Sequence, residues 1–142
     1  MKIGIIKEGK VPADKRVPFT PQQCKEIKEK FGFEVVVQSS EVRSFPDEMY
    51  KSEGIEVAHN VDDCDVLFGV KEVPIEQLIP NKTYFFFSHT IKKQPYNKKL
   101  MKALLEKKIA MVDYECLTYK TGDRIIGFGR FAGVVGTYNA LL

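Results

Sequence analysis

Short runs of continuous apolar residues alternate with helix-like segments along most of this chain. Runs of strand length fall in residues 2–7, 33–38, 55–58, 66–70, 82–87 and 109–112. Apolar runs without polar alternation are typical of parallel strands that are buried on both faces of a sheet. Their alternation with helices predicts the α/β class, with an open Rossmann-like or flavodoxin-like parallel sheet and helices on both faces.

Helix signals separate most of these runs. Thr20 followed by Pro21 is typical of a helix start, and Gly32 marks the end of that helix. Further helices are predicted over residues 46–53, 94–107 and 129–142, with a helical turn at 74–78. Residues 116–119 and 124–126 flank a glycine-containing turn, which suggests a C-terminal hairpin.

Composition bounds the class of protein. A length of 142 residues is most simply one domain, and 22 basic against 19 acidic residues give a formal charge of only +3. No nucleic-acid partner is expected, and no stretch of 18 apolar residues predicts a membrane span. The clustered lysines are interpreted as a solvated helix face, and they are Lys92, Lys93, Lys98 and Lys99.

The cysteines and histidines limit redox and metal chemistry. Cys24, Cys64 and Cys116 are scattered and odd in number, which favours a reduced, cytoplasmic protein with each cysteine buried as a small hydrophobe. His59 and His89 are the two histidines of the sequence, and no spacing is typical of metal ligands. We therefore expect no metal cofactor, and we expect His59 to lie at the surface.

Residues 139–142 continue an apolar helical pattern without a capping residue. Native domains rarely end on exposed apolar residues inside a periodic segment. We therefore expect residues 1–142 to form one domain of a longer protein.

Two apolar runs stop abruptly at an ionisable residue. The run 66–70 is followed by Lys71, and the run 82–87 is followed, after Ser88, by His89. Ligands of open parallel sheets bind outside the carboxyl ends of the strands, so these two side chains are candidates for one proton-transfer site. The lysine would act there as a base or hold a substrate carboxylate. A solvated lysine and a structural histidine are the alternatives.

Arginines are the candidates for holding a substrate carboxylate, because the guanidinium group matches a carboxylate bidentately. Arg16 follows the first predicted strand, while Arg124 and Arg130 flank a glycine cluster. Tyr114 and Glu115, just after the last predicted strand, are candidates for lining the same crevice. For any one arginine, simple solvation remains the alternative.

The glycine cluster consists of Gly127, Gly129 and Gly133, with the spacing GxGxxxG instead of the GxGxxG dinucleotide fingerprint. The chain also ends before the acidic residue that this fingerprint requires about 20 residues later. We interpret the glycines as positions where a helix packs closely on the sheet, and we identify no nucleotide site in the chain.

Three motifs together resemble one protein family. Residues 16–21 read Arg-Val-Pro-Phe-Thr-Pro, residues 69–74 read Gly-Val-Lys-Glu-Val-Pro, and residues 87–90 read Phe-Ser-His-Thr. They are similar to the N-terminal domain shared by alanine dehydrogenase, the proton-translocating nicotinamide nucleotide transhydrogenase and the saccharopine dehydrogenases. Residues 82–92, 112–115 and 127–133 look closest to the lysine–ketoglutarate reductase and saccharopine dehydrogenase branch.

The resemblance implies an NAD(P)-dependent oxidoreductase with two Rossmann-like domains, of which this chain is the substrate-side one. It assigns an acid/base pair to Lys71 and His89, and carboxylate binding to Arg16 and Arg124. NAD or NADP is then bound by the enzyme's own C-terminal dinucleotide-binding domain, so residues 1–142 alone are expected to be inactive. The implied substrates are an amino acid and a 2-oxo acid, with hydride transfer at a C–N bond.

Two other functions stay open at the level of sequence. One is an alanine dehydrogenase or transhydrogenase-like domain, and the other is a non-catalytic domain that senses amino acids or 2-oxo acids. Residues 90–94, Thr-Ile-Lys-Lys-Gln, depart from the leucine-rich segment of the alanine dehydrogenase branch, which favours the saccharopine branch. The exact substrate, cofactor preference, reaction direction and oligomeric state are left open.

Overall fold

Six parallel strands form one sheet in the computed structural model, which describes residues 1–141. The strands are β1 (Lys2–Ile5), β2 (Glu34–Gln38), β3 (Glu56–Ala58), β4 (Val66–Phe68), β5 (Thr83–Phe86) and β6 (Ala110–Asp113). Their order in the sheet is β3-β2-β1-β4-β5-β6, and every neighbouring pair is parallel. The predicted α/β class, the parallel sheet and the six strands are therefore confirmed.

Helices pack against both faces of this sheet. The helices are α1 (Pro21–Phe31), α2 (Asp47–Ser52), α3 (Asn97–Glu106) and α4 (Gly129–Ala140), with single 3₁₀ turns at Ile75–Gln77, Thr90–Lys92 and Tyr114–Cys116. On one face, Cys24 of α1 and Tyr50 of α2 join the core formed by β1 and β2. On the other face, Leu100 and Leu104 of α3 pack on a core that includes Leu67. Among residues 1–141, no helix is both long enough and apolar enough to cross a membrane.

The strand order creates a topological switch point between β1 and β4. From β1 the sheet grows outwards through β2 to β3, whereas β4 lies on the other side of β1 and leads to β5 and β6. Loops on the two sides of such a point run apart and leave a crevice outside the carboxyl ends of the strands. The candidate site residues follow β1, β4, β5 and β6. Because the strands are parallel, these residues all lie at the carboxyl ends of the strands.

The glycine cluster does not serve the close packing that its sequence suggests. A Cβ atom added at Gly129, Gly133 or Gly136 would meet no heavy atom within 4 Å, and α4 is exposed along its length. The apolar side chains of α4, such as Phe131, are exposed as well, so the helix does not pack on the core. The helix ends at Ala140, and Leu142, the last residue of the predicted helix, lies outside the described residues.

Two smaller expectations also need correction. The C-terminal hairpin is reduced to one antiparallel bridge between Thr118 and Arg124. Most of this segment is exposed, so it lacks the apolar face that a longer two-stranded ladder needs for stability. Cys24 and Cys64 are buried as expected, but Cys116 is exposed in the 3₁₀ turn after β6.

A capping box fixes the start of α1, close behind the loop that carries Arg16. The Thr20 hydroxyl accepts the Gln23 N–H at 3.3 Å, and the Gln23 side-chain oxygen accepts the Thr20 N–H at 2.9 Å. We expect Thr20→Ala to lower the free energy of unfolding by about 1 kcal/mol, because the cap bond is lost. Urea denaturation measures this change, with the exposed Thr121→Ala as the matched control. An equal loss in both variants would contradict the role of the cap.

Candidate functional site

A partly buried carboxylate joins the loop after β1 to the loop after β4. Glu8 accepts the Val70 N–H at 2.7 Å on one carboxylate oxygen and the Lys71 N–H at 2.8 Å on the other. Burial raises the pKa of Glu8, and the two backbone hydrogen bonds work in the opposite direction. The two bonds span the switch point and hold the backbone from which the Lys71 side chain projects.

Lys71 lines a cavity at the β4 end of this crevice. The cavity has a volume of about 490 Å³, and residues 10–15 of the loop after β1 form the rest of its wall. Glu72, the residue next to Lys71, is paired with Lys10 and not with Lys71. Within residues 1–141 the Lys71 ammonium has no hydrogen-bond or ion-pair partner, so it is available to exchange a proton or to bind an anion.

Arg16 is held in place by Asp14. Nε and Nη2 of Arg16 donate to the Asp14 carboxylate at 2.9 and 2.5 Å, and the guanidinium carbon lies 5.1 Å from the centre of the Phe128 ring. These side-chain hydrogen bonds lower the pKa of Asp14 from 3.8 to about 2. Because Asp14 occupies one edge of the guanidinium, the edge with Nη1 is left to bind a carboxylate.

The ion pair between Asp14 and Arg16 predicts a pH-dependent stability. Because the folded-state pKa of about 2 lies below the ordinary 3.8, the contribution of ionised Asp14 is present above about pH 4 and is lost as the pH falls towards 2. We expect the free energy of unfolding to fall more steeply across this window in the wild type than in Asp14→Asn. Urea titrations at several pH values measure both slopes, with the exposed Asp62→Asn as control. Parallel curves for wild type and Asp14→Asn would contradict the prediction.

His89 follows β5 in a left-handed backbone conformation, with φ 56°. Its Nδ1 lies 3.0 Å from a carboxylate oxygen of Glu115 and 3.2 Å from Nζ of Lys92, and its carbonyl accepts the Asn97 side-chain N–H at 2.7 Å. A neutral imidazole that donates from Nδ1 to Glu115 carries its lone pair on Nε2. No side chain of residues 1–141 bonds to Nε2, which is therefore the ring atom able to exchange a proton.

Glu115, just after β6, joins His89 to two cationic side chains. Its side chain is only 5% exposed, and its second carboxylate oxygen lies 3.4 Å from Lys92 Nζ and 3.2 Å from Arg124 Nη2. The hydrogen bond with His89, followed by that with Lys92, lowers the pKa of Glu115 against the opposing effect of burial. Glu115 is therefore an anion at neutral pH and places Arg124 and His89 around one carboxylate.

An apolar pocket of about 220 Å³ lies between these groups and the loop that carries Arg16. The residues that line it follow β1, β4, β5 and β6, and they are Val17, Pro18, Phe19, Val70, Phe87, Tyr114, Ile126 and Phe128. Burial raises the pKa of Tyr114, so its hydroxyl stays protonated. The pocket is therefore apolar and of a size for a short aliphatic chain, and its lining residues Val17 and Val70 stand next in the chain to Arg16 and Lys71.

The candidate residues thus fall into two neighbouring groups. Arg124 and His89 meet at Glu115, whereas Arg16 and Lys71 lie in and beside the loop after β1. His89 and Lys71 are not bonded directly to each other within the described residues, so a proton passing between them needs a substrate or water as intermediary. Arg130 is exposed on α4.

Sequence reasoning missed two residues that shape the site. Glu8 and Asp14 stand in the sequence only as part of a polar loop, although each lies beside a candidate residue. Two signals in the sequence could have identified them. Glu8 is an acidic residue placed directly after a buried strand, and Asp14 stands two positions before an arginine, a spacing that suits a local ion pair.

The described residues do not fit a dinucleotide. A pyrophosphate site in this fold class needs a glycine-rich turn that leads directly from a strand of the sheet into a helix. Gly127 precedes α4 and Gly129 is its first residue, but the segment before them is an exposed turn with one isolated bridge and not a strand of the sheet.

Comparisons with known proteins agree with this fold. A mitochondrial alpha-aminoadipic semialdehyde synthase of Bos taurus is 38% identical over 128 residues, which cover 90% of this chain and 14% of that protein. The Candida albicans saccharopine dehydrogenase [NAD(+), L-lysine-forming] is 26% identical over 131 residues, which cover 88% of this chain and 34% of the relative. A solved L-alanine dehydrogenase superposes with a TM-score of 0.72 over 87% of this chain and 35% of its own, at 20% identity, which shows the shared fold.

The chain therefore spans only a fraction of the length of the relatives that it matches. A match to the family described as "Alanine dehydrogenase/PNT, N-terminal domain" covers residues 4–135, almost the whole chain. This match confirms the resemblance that the three motifs indicated. The chain belongs to the alanine dehydrogenase/PNT N-terminal domain family.

Proposed function

We propose that this chain is the substrate-side domain of an NAD(P)-dependent oxidoreductase that acts on a C–N bond, of the saccharopine or lysine–ketoglutarate reductase type. One observation carries the proposal. At the carboxyl ends of the strands, a small apolar pocket is lined by Val17, Val70 and Tyr114, which stand next in the chain to Arg16, Lys71 and Glu115. Glu115 in turn holds His89 and Arg124, and Lys71 has no partner within residues 1–141. The similarity to a saccharopine dehydrogenase and an alpha-aminoadipic semialdehyde synthase supports the same class.

Lys71 and His89 are the proposed acid/base groups. When an amine condenses with a 2-oxo acid, the amine must lose protons and the carbonyl oxygen must gain them before it leaves as water. Two groups that can exchange protons serve these steps better than one. Nε2 of His89 and Nζ of Lys71 are the two atoms available for this exchange. The nicotinamide cofactor supplies the hydride, and we place its binding on a separate dinucleotide-binding domain of the same protein.

Arg16 and Arg124 are the proposed carboxylate anchors, and the apolar pocket between them would hold the chain that links two carboxylates. Fixing both ends of the substrate orients the reacting carbon, and such orientation can contribute on the order of 7–11 kcal/mol to a two-substrate reaction. A cytoplasmic location stays a prediction from the sequence.

A substrate panel tests the proposal. The whole protein is assayed with NADH and NADPH on lysine plus 2-oxoglutarate and on pyruvate with ammonia, and with NAD and NADP on saccharopine and alanine. We expect turnover with the first pair or with saccharopine. Turnover only with pyruvate or alanine would favour the alanine dehydrogenase type, and calorimetric binding without turnover would favour a sensing domain. Residues 1–142 alone should be inactive, and turnover by them would contradict the placement of the cofactor.

A further inference from the structure

A buried hydrogen-bond bracket joins the ends of β5 and β6 behind the candidate histidine. Ser88 lies two residues after β5 and is fully buried. Asp113 is the last residue of the neighbouring strand β6 and is 6% exposed. The Ser88 hydroxyl donates to Oδ2 of Asp113 at 2.5 Å, while Oδ1 of the same carboxylate accepts the Glu115 N–H at 2.8 Å. One carboxylate thus holds both the residue before His89 and the backbone of the residue that His89 contacts.

Ser88 also fixes the turn in which His89 lies. The hydroxyl of Ser88 accepts the Thr90 N–H at 3.1 Å and lies 2.8 Å from the Thr90 hydroxyl. Its single proton goes to Asp113, so the Thr90 hydroxyl must donate to Ser88. The residues on both sides of His89 are therefore bonded to each other, which stabilises the left-handed conformation of His89 between them.

These contacts close a ring. It runs from Asp113 through Ser88 to His89, from the imidazole to Glu115, and from the Glu115 N–H back to Asp113. Neither Asp113 nor Ser88 reaches the imidazole itself. Their effect on His89 is to hold the Glu115 carboxylate 3.0 Å from Nδ1, where it favours a proton on that nitrogen. The Lys92 ammonium, 3.2 Å from the same Nδ1, can only donate and favours the other tautomer, so the position of the carboxylate sets the balance between the two.

We propose that Asp113, acting through Ser88 and the Glu115 amide, is a positioning residue that holds His89 as the Nδ1–H tautomer. In this tautomer Nε2 is the ring atom available to exchange a proton. The proposal deepens the proposed function, on which its kinetic consequences rest. The tautomer itself depends only on residues of this chain and can be measured without any substrate.

Asp113→Asn and Ser88→Ala are the variants that disrupt the bracket. In Asp113→Asn one oxygen can still accept the Glu115 N–H, but the amide NH2 can face Ser88 only as a donor, so the Ser88 proton loses its acceptor at residue 113 and the hydrogen bond between Ser88 and Thr90 must reverse. Ser88→Ala removes the hydroxyl and leaves the bond between Asp113 and Glu115 intact. In the whole protein we expect each variant to lower kcat on the order of 10- to 100-fold with little change in KM, because misplacing a catalytic group by about 1 Å can cost 100-fold in rate.

The tautomer of His89 is read directly by ¹⁵N chemical shifts of the histidine side chains in the labelled 142-residue chain. The sequence has two histidines, so His59→Gln assigns the signals. We expect the neutral wild-type ring to carry its proton on Nδ1, and we expect both variants to shift protonation towards Nε2. Circular dichroism establishes that each variant is folded before its spectrum is compared.

Tyr84→Phe is the matched control. Tyr84 is buried on β5, the strand that precedes Ser88 and His89, and its hydroxyl accepts the Ile79 N–H at 2.9 Å. The variant therefore loses a buried hydrogen bond away from His89. We expect it to keep both the Nδ1–H tautomer and kcat. An unchanged tautomer in Asp113→Asn and Ser88→Ala, an equal change in Tyr84→Phe, or unfolding of both bracket variants would overturn the proposal. A tautomer shift without activity in any substrate assay would uphold the bracket and refute the proposed function.

Discussion

Lys71→Met and His89→Ala, introduced separately into the whole protein, should each lower kcat by roughly 100- to 10,000-fold, the usual contribution of a general acid or base. Methionine keeps the length and apolar stem of Lys71 but cannot carry a proton. Alanine removes Nε2, the ring atom that no described side chain bonds. Steady-state kinetics over a range of pH with lysine and 2-oxoglutarate measure both losses.

Two matched variants separate this loss from damage to the fold. Lys99→Met and His59→Ala replace the same residue types at exposed positions away from the crevice, and they should keep the wild-type kcat. If Lys71 and His89 move protons in one sequence of steps, the double variant should cost about as much as the more damaging single one. Wild-type rates in both single variants would remove the acid/base assignment.

The strands, and the residues at their carboxyl ends, could be predicted because a strand buried on both faces of a sheet is a continuous apolar run in the sequence. A run such as residues 66–70 has no polar alternation, and the first ionisable residue after it lies near the carboxyl end of the strand. Lys71 and His89 are identified in this way. The chemistry of an edge residue is set by its neighbours, however, and these come from distant loops.

The neighbours of the site residues could not be predicted for that reason. Glu8 reaches the Lys71 backbone across the switch point, and Asp113 reaches Ser88 from the next strand. Each of these contacts depends on strand order and register, which a local pattern does not encode. The exposed helix α4 shows the converse, since its glycines and apolar residues suggested packing for which the described residues offer no partner.

Arg16→Lys should raise KM for 2-oxo acid substrates about 10- to 100-fold with a smaller effect on kcat. Lysine keeps the positive charge but loses the planar fork, and a hydrogen bond to a charged group contributes about 1.5–3 kcal/mol. Asp14 already holds one edge of the guanidinium, so the substrate would use the other edge. Arg130→Lys, on the exposed helix α4, is the matched control and should leave KM unchanged.

Arg124→Lys distinguishes the two carboxylate anchors when it is assayed on two substrates. If Arg16 binds the carboxylate next to the reacting carbon and Arg124 binds the distal one, Arg16→Lys penalises both 2-oxoglutarate and pyruvate, while Arg124→Lys penalises 2-oxoglutarate alone. A lysine at this position keeps a positive charge beside Glu115, the carboxylate that contacts His89, so the electrostatic environment of Glu115 is preserved. Equal penalties for both substrates in Arg124→Lys would mean that Arg124 acts on His89 through Glu115 and does not contact a carboxylate of the substrate.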